Sequence, residues 1–136
     1  MEFAKYKPFS LLESAKLQSI EENVTERTFA SGESIISNGE ESTAYYIIKS
    51  GSVIVLQKML KEEPEHVAIL GEGDGFGEDA IINGGRQNET VRAIEETTVW
   101  VISKPDFDQT LKTTFLEQIS VESEIDSDSE YYIYFY

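Results

Sequence analysis

Between Gly71 and Ala93 the chain reads GEGDGFGEDAIINGGRQNETVRA, the stretch that most restricts the folds open to it. Gly71, Gly73, Gly75 and Gly77 fall at every second position, so the backbone there turns tightly and comes close to whatever it faces. An apolar run, Val67 to Leu70, leads in, and a short apolar patch, Ala80 to Ile82, follows. After Gly84 and Gly85 the pattern returns to strand-like alternation at Thr90-Val91-Arg92-Ala93. A helical turn starting near Asp79 aims its free N–H groups, those of Asp79 and Ala80, into the loop, where an anion is welcome. Glu78 stands where a carboxylate can accept two hydroxyl hydrogen bonds. Backbone amides, a carboxylate and a nearby Arg are what a sugar phosphate needs.

The rest of the chain supplies a scaffold of short strands. Phe3, Tyr6, Pro8, Phe9, Leu11 and Leu12 form an apolar cluster, and Leu17 and Ile20 then repeat at helical spacing. Strands are expected near Arg27–Phe29, at Ile35-Ile36, from Tyr45 to Ile48, from Ser52 to Met59, from His66 to Leu70 and from Thr98 to Ile102. Gly51 is the tight turn between two of them, and Lys61 to Glu65 makes a hairpin loop. Many short strands with turns between them indicate an antiparallel barrel or jelly roll. Ser103 reads as a helix cap with Asp106 three residues on, and Phe107, Leu111, Phe115 and Ile119 line one face of the helix that follows. Residues 1–120 thus read as one domain. Residues 121–136 are an acidic, Ser-rich linker closed by Tyr131-Tyr132-Ile133-Tyr134-Phe135-Tyr136.

Charge and missing residue types remove several function classes. A net charge of −15 over 136 residues argues against nucleic-acid and anionic-membrane partners, which need a basic face. There is no cysteine, so disulfides and thiol catalysis are out. A single histidine, His66, excludes a His-based metal cluster and with it a cupin-like enzyme. Gly73-Asp74-Gly75 lacks the repeated oxygen ligands of a calcium loop. With no signal peptide and no long apolar run, a cytoplasmic location is expected. The aromatic tail carries no charged side chain, and such a segment needs a docking place, which points to a homodimer or a protein partner.

Two motifs resemble the cyclic-nucleotide-binding domain family. Phe76-Gly77-Glu78, a short helix, a loop and Thr90-Val91-Arg92-Ala93 are similar to its phosphate-binding cassette. Ile35-Ile36-Ser37-Asn38-Gly39-Glu40 through Tyr45-Tyr46-Ile47-Ile48 to Gly51 resembles its upstream signature, with Ser42 where Gly, Ala or Cys is usual. The resemblance implies a mainly β, jelly-roll barrel with flanking helices and a non-catalytic regulatory module. It implies a nucleotide-like small molecule, cyclic AMP or cyclic GMP, as ligand and no other cofactor. The ligand-binding positions it marks are Gly77, Glu78, Asp79, Ala80, Arg86, Gln87 and Thr90, with Glu78 on the ribose hydroxyls.

One of those positions departs from the family. Its phosphate-binding Arg stands nine residues after the cassette Glu and three before the Thr, and here that residue is Gln87. Arg86 precedes it, but neighbours in an extended loop face opposite ways. Gln87 can offer an amide hydrogen bond to a neutral or weakly anionic ligand, and Glu89 adds repulsion to an anionic one. Two readings stay open at this point: a ligand sensor with altered preference, and a degenerate domain that serves as a protein-interaction scaffold.

Overall fold

A computed structural model describes residues 9–41, 43–57, 66–113 and 116. Among the described residues eight strands form two four-stranded antiparallel sheets. The first has the order β1 (Thr25–Phe29), β8 (Thr97–Ser103), β3 (Ala44–Ser50), β6 (Gly75–Phe76). The second has the order β2 (Ser34–Ile36), β7 (Thr90–Ala93), β4 (Val53–Gln57), β5 (His66–Leu70). The jelly-roll expectation holds, although strand pairing does not close the two sheets into one continuous barrel. The α-helices among the described residues are α1 (Ser14–Asn23), α2 (Glu78–Asn83) and α3 (Lys104–Thr110). Among the described residues no helix is long and apolar enough to cross a membrane.

Period-two alternation in β3 decides how the layers stack. Tyr46 and Ile48 point between the sheets, where they meet Val53, Val55, Phe76, Val91 and Val99. Tyr45 and Ile47 point the other way and pack with Trp100, Ile102, Phe107 and Leu111 under the helices. The strand is therefore buried on both faces, which explains its unbroken apolar run. Trp100 is in the core, as its place in the sequence implies. Phe9 of the N-terminal cluster and Ile20 of α1 join this second core, with Leu12 and Leu17 beside them; Leu11 is exposed, and Phe3, Tyr6 and Pro8 lie outside the described residues.

Ser103 caps α3 by accepting from the Asp106 N–H, and Phe107 and Leu111 are fully buried beneath it. The lower half of that stripe, Phe115 and Ile119, lies outside the described residues, as do the Lys61–Glu65 loop and the 121–136 tail. The antiparallel pairing of β4 with β5, from Val53↔Leu70 to Gln57↔His66, is what a hairpin at that loop requires.

Candidate functional site

The alternating glycines do what their spacing suggests: they bring the chain off β6 and into α2 across the top of β3. Gly77 is the residue before the helix, at φ 96°. A Cβ on it would come within 3.2 Å of the Ala44 carbonyl and 3.3 Å of Ile36, so the backbone can lie this close only as glycine. Helix α2 starts at Glu78, one residue earlier than expected, and its apolar residue Ile81 enters the core with Tyr45 and Ile47. That contact fixes the helix against the sheet and leaves its first turn facing the loop that follows.

Asp79 and Ala80 from the first turn, Asn83, and Gly85, Arg86 and Asn88 from the loop line one cleft of about 110 Å³. Small-molecule sites usually begin near ~300 Å³, so this cleft accepts part of a nucleotide and not the whole. A second opening of about 280 Å³, lined by Glu41, Gly84, Gly85, Arg86 and Lys104, shares Gly85 and Arg86 with it. Of the seven positions marked in the sequence, the structure thus gathers Asp79, Ala80 and Arg86. Asn83 and Asn88 line the cleft unanticipated, since an Asn in a polar loop carries no distinguishing signal.

Gln87 faces elsewhere. It is 6% exposed and lines a separate small cavity with Ile35, Ile36, Glu40, Glu41, Thr43, Ala44 and Tyr46. Backbone bonds hold it there: Gly39 N–H donates to the Gln87 carbonyl at 2.7 Å, and Gln87 N–H donates to the Glu40 carbonyl at 2.8 Å. Thr90 is tied to the same loop, its hydroxyl accepting from the Asn38 N–H at 3.3 Å. Arg86 turns outward, as adjacency to a buried Gln87 requires. It donates to the Gly39 carbonyl at 3.0 Å and stands 3.7 Å from the Glu41 carboxylate, with 65% of its side chain exposed.

Electrostatics at the cassette are set by carboxylates. Burial pushes the Glu78 carboxyl up to about 7; its own backbone N–H opposes the shift, and the charges of Asp79 and Glu89 add to it. Burial raises Asp79 as well. Glu89 is raised by burial and then by Asp79. Burial also pushes the Tyr45 phenol up, with Glu78 and Asp74 contributing, so near neutral pH it is a protonated donor on the Glu78 side. The three carboxylates do not make a metal site: among the described residues no group of three or more His, Cys, Asp or Glu could hold a metal ion. Of the three carboxylates only Asp79 lines the cleft, where it stands with Arg86, Asn83 and Asn88.

Comparison with known proteins bears on what such a pocket belongs to. A family model described as cyclic nucleotide-binding domain matches residues 26–114. A cGMP-dependent protein kinase of Eimeria tenella is 36% identical over 92 residues, 67% of this chain and 9% of the relative. A cAMP-dependent protein kinase regulatory subunit of Dictyostelium discoideum is 30% identical over 128 residues, 87% of this chain and 39% of the relative. The chain therefore spans well under half the length of either protein. Among solved structures, the regulatory subunit of a cAMP-independent protein kinase A from Trypanosoma cruzi, bound to guanosine, superposes with a TM-score of 0.77 at 22% identity. The match covers 98% of this chain and 45% of that one, and is a likeness of fold.

Proposed function

The chain belongs to the cyclic nucleotide-binding domain family, and we propose that it is a non-catalytic, ligand-sensing regulatory module whose pocket prefers an uncharged ribonucleoside to a cyclic nucleotide. The observation that carries this reading is a buried Gln87 that lines a cavity apart from the α2 cleft, together with three carboxylates, Glu78, Asp79 and Glu89, that burial raises at the start of α2 and in the loop after it. A cyclic phosphate brought there would lose a charge-assisted partner worth roughly 1.5–3 kcal/mol. It would also meet the Asp79 carboxylate in the cleft itself. A nucleoside avoids both costs and keeps its ribose hydroxyls, for which Glu78 is the acceptor. The guanosine-bound subunit from Trypanosoma cruzi supports the idea that this fold accommodates a ligand without phosphate.

A second reading, a scaffold that binds no nucleoside, draws on the small volume of the cleft at α2. The two readings part at Glu78. Its carboxyl goes from an ordinary value of 4.5 to about 7 on folding, so its contribution to stability is fully present below about pH 4.5 and is lost as pH rises to about 7. Glu78→Gln should remove that dependence and stabilise the empty domain at pH 8 by on the order of 1–3 kcal/mol. If Glu78 serves the ribose, the same variant weakens guanosine binding at least tenfold, and in the unmodified chain binding strengthens between pH 6 and pH 8. Thermal melts and calorimetric titrations across that range test both. A Gln variant that binds guanosine undiminished contradicts the assignment of Glu78.

A further inference from the structure

Among the described residues each sheet has two outer strands, and one of these four lacks a means of discouraging further pairing. Strand β1 carries Glu26 and Arg27, β2 is three residues long and β6 is two. Charge and shortness of this kind protect an open edge. Strand β5 has neither: Val67 to Leu70 is an uncharged run at the end of its sheet, bonded on one side to β4. Val67 is 56% exposed and Ile69 68%. The register places Ile69 opposite Ile54 and Val67 opposite Leu56, all on the face away from the core side chains Val53 and Val55. The result is a four-residue aliphatic patch beside an open strand edge, an arrangement that marks an interaction surface.

We propose that Tyr131–Tyr136 of the same chain adds to β5 as a fifth strand of this sheet and covers Val67 and Ile69 with alternate aromatic side chains. Its composition fits an edge strand, being built of Tyr, Ile and Phe without a charged side chain. Its six residues match the five of β5. Residues 117–130 connect it to Leu116, a length that spans roughly 20 Å as a flexible chain and up to about 48 Å extended. That is enough to pass a sandwich whose layers are ~10 Å apart. Self-pairing of β5 across a twofold axis is disfavoured: Glu65 precedes the strand and Glu72 follows it, so antiparallel copies bring the two together, on chains that each carry −15. The six tail residues carry no charged side chain, although Glu130 precedes them, and an intrachain strand brings no second chain of −15. This docking is independent of what the cassette binds.

Amide exchange of β5 in the full chain, and in a chain ending at Glu130, tests the docking, with mass by light scattering on both. Docking predicts that the β5 amides not bonded to β4 exchange at least tenfold faster after the deletion, with a monomer mass throughout. Ile69→Lys in the full chain should reproduce the faster exchange while the near-ultraviolet signal of Trp100 stays native. Equal exchange in the full and shortened chains overturns the proposal. A dimer that the deletion splits overturns the intrachain form in favour of a tail donated to a second copy. A dimer that survives the deletion overturns it in favour of β5 pairing with itself.

Discussion

Gln87→Arg combined with Glu89→Ala is expected to raise affinity for cyclic AMP or cyclic GMP by about ten- to a hundredfold, one to two decades being worth ~1.4–2.8 kcal/mol. The Arg returns a charge-assisted phosphate bond, and the Ala removes a carboxylate that lies close enough to Asp79 and Glu78 to shift with them. Adding Asp79→Ala should increase the gain further, because Asp79 lines the cleft at the start of α2. Guanosine affinity should change much less, since neither Gln87 nor Glu89 is assigned to the ribose. Calorimetry on the double and triple variants measures all of this. No gain for any cyclic nucleotide would mean that the pocket is closed to the cyclic phosphate for reasons of shape, and charge would lose its place in the account.

Gly51→Val is expected to be the most damaging single substitution in the turns, lowering stability by about 3 kcal/mol or more. Gly51 joins β3 to β4 at φ 96°, a conformation that costs a side-chain-bearing residue roughly 1–2 kcal/mol. Space is a second obstacle: a Cβ would lie 2.5 Å from the Thr97 hydroxyl and 2.6 Å from the Glu96 carbonyl. Neither atom moves freely. The buried Thr97 hydroxyl accepts from the Ser52 N–H at 3.2 Å and lies 3.0 Å from the Ser52 carbonyl, and the Glu96 oxygen is a main-chain atom. Displacing Thr97 adds about 1–3 kcal/mol for the unmade bonds. At 4–8 °C per kcal/mol for a domain of about this size, the melting temperature should drop by more than ~10 °C. A melt within 2–3 °C of the parent would show that the turn does not clamp onto Thr97.

What the sequence revealed of the cassette, and what it hid, follows from the kind of bond involved. Glycine spacing and the Phe76-Gly77-Glu78 motif located the loop and α2 because those positions exclude other side chains. The doubly buried β3 was visible as an uninterrupted apolar run, and Ser103 with Asp106 marked the start of α3. Alternation also separated the outward Arg86 from the inward Gln87. The sequence did not disclose what Gln87 turns toward, because the loop from Ser37 to Glu41 reaches it through main-chain N–H and carbonyl groups, which any residue supplies. Asp79 was marked as a ligand-binding position for its backbone N–H alone, with no role read for its carboxylate. Only the folded loop shows that it shares a cleft with Arg86 and Asn88. The separation of the two sheets was hidden for a similar reason, since it depends on which strand edges meet and not on how each strand reads.

The central claim is that this domain keeps the ribose end of a nucleotide site and has given up the phosphate end. Calorimetric titration of the unmodified chain with guanosine and with cyclic GMP, at pH 8 where Glu78 is largely ionised, addresses it with two ligands that differ in the cyclic phosphate. The account predicts that guanosine binds at least tenfold more tightly than cyclic GMP. Cyclic GMP binding as tightly as guanosine or more so, or no heat from either at millimolar concentration, would contradict it.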